Sequence, residues 1–293
     1  MNRFYSVLQT SWDWRAAVNF MFGGTGSALI LMIAMASLPG TPALPAGITA
    51  LVLVGLGLFT VWLEIGRPLR FLHVFFHPQT SWMTREASVA LLLFPVTLIG
   101  ILSRNPAIVI AAGLLGLLFL YCQARILLAS KGIPSWREPA IVPLIISTGL
   151  VEGAAVFMLY LLLSGSAMQA VMLVLLPLLL VVRALSWNSY RQRLIAGQAP
   201  QQTLSILRDI HATTLWAGNI APAVLAVIAL SIPAAGTPTG AVAALLALFS
   251  GWHMKFTIIT RASQQQGYSV GKLKRGRPQI KPPVRRKPDR FVF

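Results

Sequence analysis

The chain has 293 residues, 56% of them hydrophobic and only 11% charged, with a mean hydropathy of +0.73. A soluble domain carries about 25% charge, so this composition excludes an ordinary soluble fold. The net charge of +17 and the pI near 11.5 would suit a nucleic-acid partner, but the cations sit where membrane insertion requires them, and no nucleic acid is expected.

Eight apolar runs are long enough to cross a bilayer, which takes about 20 helical residues. They cover 16–38, 47–65, 86–103, 106–126, 140–163, 167–187, 212–232 and 238–260. In lipid only helices or closed barrels satisfy their own backbone, and these runs lack the alternation of barrel strands. The prediction is an all-α integral membrane protein of eight transmembrane helices. The first run follows Asp13 and Arg15 and is full length, so it is expected to stay as a helix rather than be cleaved. The N-terminus, the connections after the second, fourth and sixth runs, and the C-terminus share one face. Together they hold every Lys and Arg except Arg104. By the positive-inside rule this face, with both termini, is predicted to be cytoplasmic.

Residues 1–15 carry Trp12 and Trp14 and are predicted to lie at the interface. In the first run, Phe-Gly-Gly-Thr-Gly-Ser-Ala (22–28) is small enough to admit a neighbouring helix backbone. It has no preceding strand and so does not read as a phosphate loop. Residues 25–32 are similar in small-residue composition to 152–159, which points to two parallel four-helix halves. Neutral outer connections are expected at 38–45, 164–167 and 231–240. Residues 62–86 gather Glu64, Glu86, three arginines, His73, His77, Trp62 and Trp82 between two apolar runs. Pro95 and Pro177 fall inside spans and are expected to kink them. Cys122 reads as a buried packing thiol, since one cysteine makes neither an internal disulfide nor an iron–sulfur site. Residues 183–211 are the longest internal polar connection. Residues 262–293 form a basic, proline-containing tail too polar to bury a core, suited to anionic lipid or to lying along a soluble partner. The domains expected are therefore 1–15, 16–261 and 262–293.

All eight tryptophans lie on the cytoplasmic face or in the cytoplasmic half of a span. An aromatic belt marks both interfaces, so a one-sided set fits a docking surface, a pocket for a flat ligand, or a biased belt. Ionisable residues within spans are expensive and are functional candidates by default. Glu64 ends the second run, Glu86 opens the third, Glu152 lies near the middle of the fifth, and Arg183 near the end of the sixth could snorkel. A carboxyl in a low-dielectric site can exchange protons near neutral pH. A quinone site needs that, together with donors to its carbonyl oxygens. Glu86 or Glu64, with His73 or His77, are the candidates, with Arg70, Arg85 and Trp82 beside them; Glu86 fits equally a helix-capping role. Glu152 is the candidate for a proton path, and Arg67, Arg191, Arg193 and Arg208 for partner docking. No two histidines pair at depth across facing spans, so no haem is expected, and no metal-ligand cluster is present. A transporter or channel with Glu152 as coupling carboxylate, and a purely structural anchor, are the rival functions.

Leu-Glu-Ile-Gly-Arg-Pro-Leu-Arg (63–70), followed 15 positions on from Arg70 by Arg85-Glu86 within Ser-Trp-Met-Thr-Arg-Glu (81–86), resembles the DmsC/NrfD-type membrane anchors of molybdopterin oxidoreductases. The glycine-rich first helix and the eight-span length agree with this, and the basic tail lies outside it. The resemblance implies a haem-free subunit of two four-helix bundles in the bacterial inner membrane, binding menaquinone or ubiquinone. It implies two partners, a four-cluster [4Fe-4S] ferredoxin-type subunit and a catalytic subunit holding Mo-bis-molybdopterin. The family's functional glutamate maps onto Glu86. Its His-Leu-Gly histidine maps onto Glu64, a departure, since a glutamate accepts a proton but offers no imidazolium. With the partner on the cytoplasmic face, electrons are expected to run from a cytoplasmic substrate to quinone, as in sulfite dehydrogenase or phenylacetyl-CoA oxidoreductase types.

Overall fold

The computed structural model describes residues 6–36, 43–65, 68–164 and 170–265. Arg67, most of the loop expected at 38–45 and the tail from 266 onward lie outside the described residues, as does the side chain of Arg70.

Eight helices are long and apolar enough to span a membrane. They are α1 (Trp14–Ala36), α2 (Leu44–Glu64), α3 (Trp82–Ser103), α4 (Pro106–Ala129), α5 (Ile141–Leu163), α6 (Val171–Ala196), α7 (His211–Ser231) and α8 (Pro238–Arg261). The all-α membrane architecture expected from hydropathy is present. Each of the helices α1–α4 packs on its neighbours so that the four close a ring, and α5–α8 close a second. The rings join where α5 lies against α1 and α4. Consequently α1 and α5 are the most enclosed helices, while leucines and valines such as Leu91, Leu114, Leu178 and Leu185 face outward, as lipid requires.

Close backbone approach explains the small residues of α1. A Cβ on Gly26 would fall 2.6 Å from the Ala50 carbonyl of α2, and one on Gly153 of α5 would fall 2.6 Å from Ala28. Only glycine allows these crossings.

Two boundaries differ from those read off the sequence. The connection expected at 183–211 is helical as far as Ala196, because no glycine or proline lies between Arg183 and Gly197 and Trp187, Tyr190 and Leu194 continue a buried face. A surface helix, Gln201–Asp209, then buries Thr203 and Leu207. The outer connection expected at 231–240 is helix from Pro233 onward. Ile232 alone turns the chain, and proline starts the next helix where its missing N–H is harmless.

Three π-helical turns interrupt the spans, at Asn19–Gly23 in α1, Trp216–Ile220 in α7 and Thr257–Arg261 at the end of α8. Such turns release backbone carbonyls and recur at functional sites. Here those carbonyls accept from other elements. Gln123 Nε2 donates to Asn19 O at 3.0 Å, Lys255 Nζ to Phe20 O at 2.9 Å, Arg183 Nη2 to Gly218 O, and Trp136 Nε1 to Ile258 O at 3.1 Å.

The face carrying both termini has its own apolar core, built from Phe20, Trp136, Trp187, Tyr190 and Ile258 among others. Over it, β1 (Val7–Leu8) pairs antiparallel with β2 (Gln264–Gln265). Residues 262–264, the start of the expected tail, are thus buried against the body.

Candidate functional site

The connection between α2 and α3 is where the first ring is loosest. Pro68–Phe76 forms a 3-10 helix, and Thr84 Oγ1 of α3 donates to the Val74 carbonyl and holds it in place. Arg85 closes the following turn, with Nε donating to Pro78 O and Nη2 to Gln79 O, both at 2.8 Å. Trp82 lies between two guanidiniums, with Arg85 at 4.2 Å and Arg125 at 4.4 Å from its ring centre.

This arrangement leaves a cavity of about 510 Å³ between α2 and α3. Its walls are Leu58, Val61, Trp62 and Ile65 of α2, Phe71, Val74 and Phe75 of the 3-10 segment, and Met83, Ala87, Ala90, Leu91, Phe94 and Pro95 of α3. Leu91 and Trp62 are also among the exposed apolar residues, so the cavity opens on the lipid-facing side of the ring. One ionisable residue, Glu86, lines it.

Glu86 is buried at 5% exposure, and its Oε1 has no hydrogen-bond partner among the described residues. Asn19 of the π turn in α1 and Gln123 of α4 place their side-chain amides beside the carboxyl. Among the described residues no cation pairs with it. Ser81 is the helix cap, accepting from Thr84 N at 3.3 Å. Glu86 therefore carries no capping duty, which removes the alternative the sequence had left open.

A second, smaller space of about 40 Å³ lies on the other side of Glu86 and is bounded by Glu64, Asn19, Val61 and Met83 among others. It has room for water. Glu64 is half-buried at the end of α2, with Arg15 and Asp13 nearby. Arg15 donates to Leu63 O at 2.9 Å and pairs with Asp13 at 2.8 Å. That guanidinium holds the Asp13 carboxyl below its ordinary range. The structure thus brings Glu64 and Glu86 to one small chamber.

The other sequence candidates are placed differently. His73 and His77 are exposed and neither lines the cavity. The 3-10 turn points Phe71, Val74 and Phe75 inward instead. Arg85 and Trp82 brace the connection rather than facing the cavity. Arg191 and Arg208 border a separate surface hollow of about 250 Å³ beside the Gln201–Asp209 helix, and Arg193 lies 3.8 Å from Glu138.

Glu152 is fully buried and bonded to Lys255 of α8, with Nζ to Oε2 at 2.6 Å. Thr25 Oγ1 lies 2.9 Å from the same oxygen and accepts from Trp252 Nε1 at 3.0 Å. The cation bias groups Lys255 with the C-terminal face, and the structure corrects this, since Lys255 is buried at 0% exposure. Arg183 does not snorkel. It is 1% exposed and donates to Asn219 Oδ1 at 2.9 Å, Ala247 O at 3.0 Å, Ser250 Oγ at 3.3 Å and Gly218 O. Asn19, Gln123 and Lys255 are the site residues that sequence reasoning missed. For Lys255 a signal existed, because an acid within a span calls for a base within another.

Eight spans in two rings, with a carboxyl-bearing cavity at the end of one ring, define a multi-pass membrane subunit. A family model for the DMSO reductase anchor subunit (DmsC) matches residues 27–270, and the chain belongs to that family. Its members are the membrane anchors of DMSO reductase-type complexes. No curated protein matches the chain.

Proposed function

We propose that the protein is the quinone-reactive anchor of a molybdopterin oxidoreductase complex in a bacterial inner membrane. The observation that carries this reading is the pairing of an apolar, lipid-side cavity of about 510 Å³ with a single buried carboxyl, Glu86, whose Oε1 is unpartnered among the described residues. Ligand pockets of this kind are mostly apolar with a few convergent polar groups. A flat, hydrophobic ring fits between Trp62, Phe71, Phe75 and Phe94, and an orphaned carboxyl oxygen fits a ring oxygen.

Bound menaquinone or ubiquinone supplies the two-electron, two-proton chemistry. Glu86 holds the proton at its carboxyl and presents it at the cavity wall. Asn19 and Gln123 fix the carboxyl's orientation. Glu64 recharges Glu86 through water in the 40 Å³ chamber, which sits toward the charged face. The aromatic walls exclude bulk water from the cavity. Electrons arrive from a ferredoxin-type iron–sulfur subunit, which in turn serves a molybdopterin catalytic subunit. The face with the termini is the cytoplasmic one, as the cation bias predicts, and Arg191, Arg193 and Arg208 serve docking there or contact anionic lipid. Electrons run toward quinone.

A photoreactive quinone analogue tests this directly. In the assembled complex it should label residues of α2 and α3 around Phe94 and Met83, with excess quinone competing. Labelling confined to other helices would reject the site.

A further inference from the structure

Glu152 and Lys255 stand apart from the cavity, yet buried polar groups join them to it. Among the described residues, the buried charged side chains are Glu86, Glu152, Arg183 and Lys255. From Glu86 the line passes to the amides of Asn19 and Gln123. Gln123 Oε1 and Lys255 Nζ then converge on Gly24 of α1, where a Cβ would sit 3.1 Å from the first and 2.7 Å from the second. Lys255 meets Glu152 Oε2. The other oxygen, Oε1, faces Gly251, where a Cβ would lie 2.6 Å from it. The neighbouring Ser250 is bonded to Arg183.

Four oxygens on this line are buried and unpartnered among the described residues: Glu86 Oε1, Asn19 Oδ1, Gln123 Oε1 and Glu152 Oε1. An unsatisfied buried acceptor costs about 1–3 kcal/mol, and proteins meet that need with ordered water where the site is polar and has room. The small chamber beside Asn19, Phe20 and Glu86 supplies room at one end, and at Gly24 the absent Cβ lets Lys255 Nζ and Gln123 Oε1 close on α1. Among the described residues the line does not continue to the opposite face. There the core is Ile33, Ala36, Met158, Leu161 and Leu173, all apolar. It is a blind branch, not a path across the membrane.

We propose that the Glu152–Lys255 pair is a proton store for Glu86, reached by a water-bridged passage through α1, so that the second ring serves the reaction in the first. The inference rests on the quinone reading. Two-electron reduction takes up two protons, whereas one carboxyl lines the cavity. After Glu86 has given up its proton, an N–H bond of the Lys255 ammonium breaks. The proton leaves at Gly24, where Lys255 and Gln123 converge, crosses water beside Gln123 and Asn19, and an O–H bond forms on the Glu86 carboxylate. No electron moves in this step. Arg183 remains as counter-charge for Glu152 while the amine is neutral. Between turnovers the store refills along the same passage from Glu64, with Cys122 of α4 the other titratable group near Glu86.

Gly24→Ala tests the passage, because its methyl would fall 2.7 Å from Lys255 Nζ and push it away from Gln123 without removing a polar group. In the complete complex with its partner subunits, the expected result is unchanged affinity for a quinone analogue, quinone turnover slower by about tenfold, and a larger solvent deuterium isotope effect. The paired variant Glu152→Gln/Lys255→Met, which removes both charges of the pair together, should show the same loss. It decides the matter if Gly24→Ala does not assemble. Full turnover and an unchanged isotope effect in either assembled variant would overturn the store. A complex that binds no quinone analogue before any substitution would overturn the quinone reading, and the store with it.

Discussion

Glu86 and Glu152 are the two acidic residues fully enclosed in the described structure, and they are built in opposite ways. Glu152 is held by a lysine at 2.6 Å, with a threonine hydroxyl beside it and no cavity in contact. Glu86 has amides but no cation beside it, an unpartnered oxygen, and a 510 Å³ apolar space in front. A buried charge paired in good geometry ties helices together, and removing one partner is costly. A buried carboxyl without a counter-charge that faces a cavity can exchange a proton directly with what enters it. Burial alone therefore does not say what a buried acid does; its neighbours decide whether it meets a ligand or holds its proton in a pair.

That contrast can be broken at either end. Glu86→Gln keeps the shape of the side chain and removes the exchangeable proton. Quinone turnover should fall about 10²–10⁴-fold, with assembly and thermal stability retained.

Lys255→Met should act chiefly on stability. It removes the bonded partner of Glu152 and should lower stability by about 3–5 kcal/mol, read by thermal unfolding in detergent. Adding Glu152→Gln should restore most of that loss. If the single variant is as stable as the parent, the pair is not the clamp described.

Ala87→Phe places a ring in the cavity without touching either carboxyl. Binding of a quinone analogue should weaken by about tenfold, or about 1.4 kcal/mol, while the unfolding temperature stays within error.

The smallest effect is expected at Asp13. Its carboxyl is held below the ordinary range by Arg15, so its contribution is present above that range and fades as pH falls through the lowered value. Asp13→Asn should flatten the acid limb of stability slightly and leave turnover unchanged. A loss of turnover would give this surface pair a role in the Glu64 chamber.

The spans were legible because a 20-residue apolar run has few alternatives in lipid. Ser81-Trp82 through Glu86 were legible as a functional stretch because they are polar at a place where polarity is expensive. The residues around Glu86 were not. Asn19 and Gln123 are uncharged and sit inside apolar runs, and only the π turn of α1 brings Asn19 to the carboxyl. Lys255 and Arg183 lie close enough to span ends to resemble interfacial cations, and packing on α5 and α7 is what buries them. His73 and His77 have suitable chemistry, but the 3-10 geometry of Pro68–Phe76 turns phenylalanines rather than imidazoles inward. Local backbone conformation made that choice, and no hydropathy pattern reports it.

The most direct test is quinone reduction by the fully assembled complex carrying Glu86→Gln, measured beside the same complex carrying Glu152→Gln/Lys255→Met. Near-complete loss is predicted for the first, and a slower but measurable rate for the second. Normal turnover in assembled Glu86→Gln would contradict the account.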